Sequence, residues 1–166
     1  ALQDARTALE RERNLLRTIM DGAKNSHLAY LDRDFKFVHV NEAFAATCGY
    51  TPEGLIGISH FALYPHTDNE AIFARIRDTG IEMEFHDKPF SFPDQSERGV
   101  TYWDWTLTPV KDSERNVVGL VLASFETTAR VRAEEALRAS EVRYRRLVET
   151  ASEGIWQIDL DLRTID

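Results

Sequence analysis

Cysteine is almost absent from this sequence: Cys48 is the only one in 166 residues. A single thiol excludes an intrachain disulfide and any cysteine-rich zinc site. No histidine stands at a metal-ligand spacing from another histidine or a carboxylate, so no metal is expected. Long apolar runs are missing as well. The longest, Val117 to Phe125, falls far short of the roughly 20 residues of a membrane helix, and no direct membrane insertion is expected. Positive charge is scarce: 20 Lys and Arg against 28 Asp and Glu leave a formal charge of −8. That balance argues against nucleic acid or an anionic lipid surface as partner. Gly-rich phosphate loops, Gly-x-Ser-x-Gly elbows and His-Glu-x-x-His motifs are also lacking. The paired carboxylates Asp32 and Asp34 lie in a turn-like tripeptide, where aspartate serves the backbone. No catalytic residues are assigned.

What is present is an ordinary globular composition, 43% apolar and 29% charged, on a chain long enough to bury roughly 70% of its unfolded surface. It begins at Ala1 without a methionine and reads as a piece of a longer, cytoplasmic protein.

Residues 1–20 lack proline and glycine and place Leu2, Leu9 and Leu16 seven apart, with Ala5 and Ile19 at a second position that Glu12 interrupts. This is an amphipathic helix with coiled-coil character, either packed on its own domain or forming a dimer seam. Asp21 and Gly22 end it. From Ser26 the period changes. His27–Leu31 and Phe35–Val40, joined by Asp32-Arg33-Asp34, read as a hairpin. Asn41 is an N-cap for a helix Glu42–Cys48 that Gly49 stops, and Thr51-Pro52-Glu53 opens a short helical turn. Thr67-Asp68-Asn69-Glu70 has capping-box spacing and starts a helix to Thr79 with Ile72, Phe73 and Ile76 on one face.

Three strand-like segments follow: Ile81–Phe92, Val100–Val110 and Val117–Phe125. In the second, Trp103, Trp105 and Leu107 share one parity and should point inward. The third is apolar at nearly every position, so both its faces need cover. The helix at 1–20 is available for the outer one. The order β-β-α-α-α-β-β-β predicts an α+β domain built on an antiparallel sheet. The connection 87–99, with Pro89, Pro93 and Gly99, is either a lid or a plain surface loop.

From Thr128 the sequence turns helical and charged, with Ala133, Leu137, Ser140, Tyr144, Leu147 and Ala151 alternating four and three apart. Such a helix is marginal alone and wants a partner. Leu137 and Tyr144 join Leu2, Leu9 and Leu16 as the expected seam of a homodimer. Beyond it, 147–151 resembles 19–23, and 155–161 resembles 28–34, as though a second copy of the domain were opening.

The hairpin leading into Asn41-Glu42-Ala43-Phe44, and then Cys48-Gly49-Tyr50-Thr51-Pro52-Glu53-Gly54-Leu55-Ile56-Gly57, resembles the first half of a PAS domain. Trp105–Pro109 and Gly119–Phe125 resemble its second half. Glu126-Thr127-Thr128, followed by Arg130 and by 132–137, resembles the Asp-Ile-Thr exit motif and signalling helix, with glutamate in place of aspartate. The divisions expected are an N-terminal helix (1–20), a PAS domain (21–128), a helical linker (129–146) and the truncated start of a second PAS domain (147–166).

This resemblance implies a PAS fold: a five-stranded antiparallel sheet with inner helices on one face, between flanking helices. It further implies a sensor without catalysis that takes a small ligand between sheet and helices. Signal would leave through Glu126 and Thr128 to neighbouring PAS and output domains, most often those of a sensor histidine kinase in a two-component phosphorelay. The rival reading is a ligand-free spacer for dimerisation and relay. Flavin-adduct chemistry is excluded on this reading, because the family's light sensors carry cysteine in an Asn-Cys-Arg-Phe-Leu-Gln segment and Cys48 stands elsewhere. Haem is not expected, because the helix 69–79 contains no histidine and His60 and His66 fall in the loop before it. The candidate pocket is Phe44, Phe73, Ile76, Phe85, Trp103, Trp105 and Leu107, with Tyr30 or His39 as polar handle.

Overall fold

The computed structural model describes the backbone of residues 2–162 and the side chains of residues 2–151. The chain divides into two units, Ala1–Thr127 and Thr128–Asp166. In the first, α1 (Leu2–Gly22) precedes β1 (His27–Asp32) and β2 (Phe37–Val40). Four helices follow: α2 (Glu42–Cys48), α3 (Pro52–Leu55), α4 (His60–Leu63) and α5 (Thr67–Thr79). The chain then returns through β3 (Met83–Ser91), β4 (Val100–Lys111) and β5 (Val117–Glu126). The strands form one sheet in the order β2-β1-β5-β4-β3, antiparallel at each pairing. The expected architecture is the observed one, with α4 and a short 3₁₀ turn at Ser96–Arg98 added.

Local chemistry sets most of the boundaries. Asn41 is almost wholly buried. Its Oδ1 accepts from the amides of Phe44 and Leu28 at 3.0 Å each, capping α2 and holding β1. Its Nδ2 donates to the carbonyls of Met20 and Ser26 at 3.1 and 2.8 Å, tying the end of α1 to the same point. Gly49, at φ 78, closes α2 with the left-handed conformation that a Cβ disfavours. Thr51 caps α3 at the Gly54 amide.

At α5 the cap is His66, whose Nδ1 accepts from the Asn69 amide, and not Thr67, which is already helical. The cap thus lies one residue before the expected one, and the capping box expected of Thr67 and Glu70 does not form. Phe35 likewise leaves β2 for the turn. At φ 60 it completes a loop in which Asp32 Oδ1 accepts from the amides of Asp34 and Lys36. Asp112 repeats this arrangement between β4 and β5, with Arg115 at φ 69.

Phe37, Leu31, Ile76, Leu107 and Leu120 lie fully buried between the sheet's inner face and the helices. Trp103 and Trp105 point inward as their parity requires. The outer face is different. Phe125 and Val118 are 51% and 39% exposed, so β5 lacks the second cover expected from α1. The reason is where α1 attaches. Residues 2–19 are all exposed, Leu9 and Leu16 by 66% and 56%, and the helix meets its domain only near its last turn. What does cover part of β5 is Tyr30, laid over Gly119: a Cβ there would stand 2.5 Å from the Tyr30 ring and 2.6 Å from the Leu31 carbonyl oxygen.

The second unit is α6, Thr128–Leu162. Arg130 and Glu134 pair across one turn at 3.1 Å, and Leu137, Tyr144 and Leu147 are more than 60% exposed. Residues 155–161, expected to open a hairpin, continue this helix. Without partner strands to accept its backbone bonds, that segment satisfies them within itself. Residues 163–166 lie outside the described residues. Among the described residues, no helix is long and apolar enough to cross a membrane.

Candidate functional site

Between the inner face of β3, β4 and β5 and helices α2, α4 and α5 lies a cavity of about 100 Å³. Its walls are mainly aromatic: Phe44 from α2, Phe73 from α5, Trp103 and Trp105 from β4, and Phe90 and Phe92 from and just after β3. The rings meet mostly edge to face, Phe90 on Phe92 at 4.9 Å and Tyr64 on Phe90 at 5.6 Å, an arrangement that fixes their planes.

Into this surface project a few polar groups. His27 and Thr47 satisfy each other. Thr47 Oγ1 lies 2.7 Å from His27 Nε2, and His27 Nδ1 faces the Ser124 carbonyl at 3.4 Å. Donation from the threonine hydroxyl to Nε2 leaves Nδ1 as the protonated nitrogen, the neutral tautomer. Burial lowers the pKa of His27 in agreement. Lys88 Nζ lies 4.8 Å from the Phe85 ring centre, 5.7 Å from that of Trp105 and 3.4 Å from Asn69 Oδ1.

Among the described residues two further groups have no protein partner: His60 Nδ1 and the Tyr64 hydroxyl, both shielded from solvent. They stand one helical turn apart on and just after α4, with ring centres 5.6 Å apart. Burial pushes the His60 imidazole down to about 4, so it is neutral. Burial raises the Tyr64 hydroxyl, helped by the Cys48 thiol beside it, although the contact lacks hydrogen-bond geometry. Burial also pushes that thiol up to about 11, so it is no thiolate. Each buried polar group left without a partner costs about 1–3 kcal/mol.

One wall of the cavity reaches the end of the sheet. Arg98 donates from Nη1 to the Thr47 carbonyl at 3.3 Å and to Gln95 Oε1 at 3.2 Å. Its Nη2 pairs with Glu126 Oε2 at 3.1 Å, and its guanidinium stacks over Phe92 at 4.4 Å. The same end is held by Thr127. Its amide donates to the Tyr102 carbonyl at 2.8 Å, and its hydroxyl lies 2.7 Å from Asp87 Oδ1. Asp87 sits at φ 48 in a bulge of β3, with its amide on Asp104 Oδ1 at 2.8 Å.

Of the pocket residues expected from sequence, Phe44, Phe73, Trp103 and Trp105 line the cavity. Ile76 and Leu107 are packed core beneath it, and Phe85 stacks on Trp105 at 4.3 Å without lining it. Tyr30 and His39 are not its polar handles. They pair with one another across β1 and β2 on the outer face, because Ala29 and Leu31 take the inward positions. The polar groups are instead His27, Thr47, Cys48, His60, Tyr64, Asn69 and Lys88. His60 belongs to α4 and not to a loop. The run of rings His60, Phe61 and Tyr64 was the available sign, but four residues are too few for helical periodicity to register.

The profile of the PAS fold matches residues 23–132. The chain belongs to the PAS family. Solved structures agree on the fold. An RNA-binding light-oxygen-voltage receptor superposes with a TM-score of 0.61 at 17% identity, over 80% of this chain and 38% of that one. A PAS domain from Colwellia psychrerythraea gives 0.56 at 15% identity, over 73% and 98%. VqmA bound to DPO gives 0.53 at 20% identity, over 68% and 56%. This chain thus spans about two fifths of the receptor and just over half of VqmA. No curated protein sequence matches it.

Proposed function

We propose that this chain is a dimeric sensory segment of a larger cytoplasmic signalling protein, with the cavity as its sensing site and the β5–α6 junction as its output. One observation carries the reading: Arg98 joins the cavity wall, through Thr47 and Phe92, to Glu126 at the end of β5. A ligand that displaces Phe92 or the His27–Thr47 pair also shifts the group that holds Glu126. No glycine or proline between Gly119 and Leu137 absorbs that motion before α6 begins at Thr128. Glu126 and Thr128 are the exit fasteners, and Thr127, latched to Asp87, joins them.

The occupant is a small organic molecule, with no haem, flavin adduct or metal, and the fragment performs no catalysis. Its resemblance to tandem arrangements makes a sensor histidine kinase the preferred parent, with further PAS and output domains as partners in the same chain. Dimerisation runs through the flanking helices, since α1 exposes Leu2, Leu9 and Leu16 and α6 exposes Leu137 and Tyr144.

Light scattering tests the assembly. The wild type is expected as a dimer, and Leu9→Glu with Leu16→Glu should shift it toward monomer, since each buried leucine contributes ~1.5–3 kcal/mol. An unchanged oligomer in the double variant would remove α1 from the seam.

A further inference from the structure

Resting on the reading of the cavity as a sensing site, we infer that its ligand is a small, uncharged, planar ring whose polar edge presents an acceptor to the Tyr64 hydroxyl and a donor to His60 Nδ1.

The walls argue for the ring. Phe44, Phe73, Phe90, Phe92, Trp103 and Trp105 surround the space with fixed aromatic planes, and another ring meets such planes edge-on or offset-stacked. His60 and Tyr64 argue for the polar edge. His60 Nδ1 and the Tyr64 hydroxyl are sealed from solvent, neither has a partner among the described residues, and both residues line the cavity one turn apart. A phenol is a strong donor. In its Nε2–H tautomer His60 presents Nδ1 as an acceptor, and the complementary edge then carries an N–H beside a C=O. The satisfied His27–Thr47 pair makes no such demand.

Neutrality follows from the inventory of charge. Among the described residues, Lys88 is the one lysine or arginine that lines the cavity, and no carboxylate lines it. The Lys88 ammonium is already engaged by the Phe85 and Trp105 rings and by Asn69. A carboxylate ligand would have to be stripped of water against six aromatic side chains with that one cation as its counterion.

The experiment uses the full chain and three probes of similar size: 2-pyridone, which carries adjacent N–H and C=O groups, toluene, and benzoate. Binding is read by calorimetry and by thermal shift. 2-Pyridone should bind at least tenfold tighter than toluene or benzoate. Tyr64→Phe should weaken 2-pyridone at least tenfold, leave toluene unchanged, and raise the melting temperature of the probe-free chain by about 2–4 °C, because a buried hydroxyl without a partner is removed. If all three probes bind equally and Tyr64→Phe is silent, the polar-edge class falls while the sensing cavity stands. If benzoate binds tightest and Lys88→Met abolishes it, the ligand is an anion and the inference is overturned. If no probe binds wild type or variants, the cavity is not a sensing site, and both readings fail.

Discussion

Lowering the pH from 6.5 to 4 should cost this protein about 3 kcal/mol of folding stability through His60 alone. In the unfolded chain that imidazole takes a proton near its ordinary value of 6.5. In the fold, burial among Phe37, Phe61, Tyr64 and Phe73 holds it neutral down to about 4. Between those values the unfolded state binds the extra proton. The contribution is therefore complete above pH 6.5 and is lost as the pH falls through the window. His27, also lowered by burial, acts in the same direction. Asp78 and Asp112, held low by Arg77 and by the Asn116 amide, act in the same direction but only from about pH 5 downward, at the acid end of the window. Urea unfolding at pH 7, 5.5 and 4.5 is the measurement. His60→Phe should flatten most of the slope, and an equal slope in this variant would show that the imidazole is not sealed in the cavity.

Asn41→Ala should lower stability by about 3 kcal/mol, a fall of roughly 6–12 °C in melting temperature. The side chain is nearly inaccessible and serves five backbone groups, the Ala23 carbonyl at 3.5 Å among them. Truncation removes an N-cap, itself worth about 0.5–2 kcal/mol, and strands the amides of Leu28 and Phe44 and the Met20 and Ser26 carbonyls. Asn41→Asp separates the roles, since it keeps the acceptor for α2 and β1 and loses the donor to the end of α1. Its expected loss is intermediate. A change below about 1 kcal/mol in Asn41→Ala would mean that α1 and α2 are held by other contacts.

How much of this was legible in the sequence depended on the kind of signal. The cap at Asn41, the helical turn opened at Thr51-Pro52-Glu53, the stop at Gly49 and the inward parity of Trp103, Trp105 and Leu107 rest on a few residues or one period, and the structure keeps each. Parity failed where both faces of a strand are apolar. His27–Asp32 reads equally well either way. What decides it is Gly119 on β5, whose missing side chain makes room for Tyr30 outside and sends Ala29 and Leu31 in. The β3 bulge was invisible for a related reason. It sets His86 and Asp87 against Asp104 alone, and so returns Lys88 and Phe90 to the inner face. A simple alternation carried on from Phe85 would have turned both outward. His60 and Tyr64 were missed because α4 is a single turn. The link from Arg98 to Glu126 spans 28 residues, and no local pattern announces it.

The central claim is that what fills the cavity alters the exit at Glu126 and Thr127. Amide hydrogen exchange followed by mass spectrometry, with and without saturating 2-pyridone, tests it most directly. The account predicts altered protection in residues 117–132 as well as around α4 in the wild type, and a change confined to the cavity walls in Arg98→Ala. Unaltered exchange across 117–132 in wild-type protein with the probe bound would contradict it.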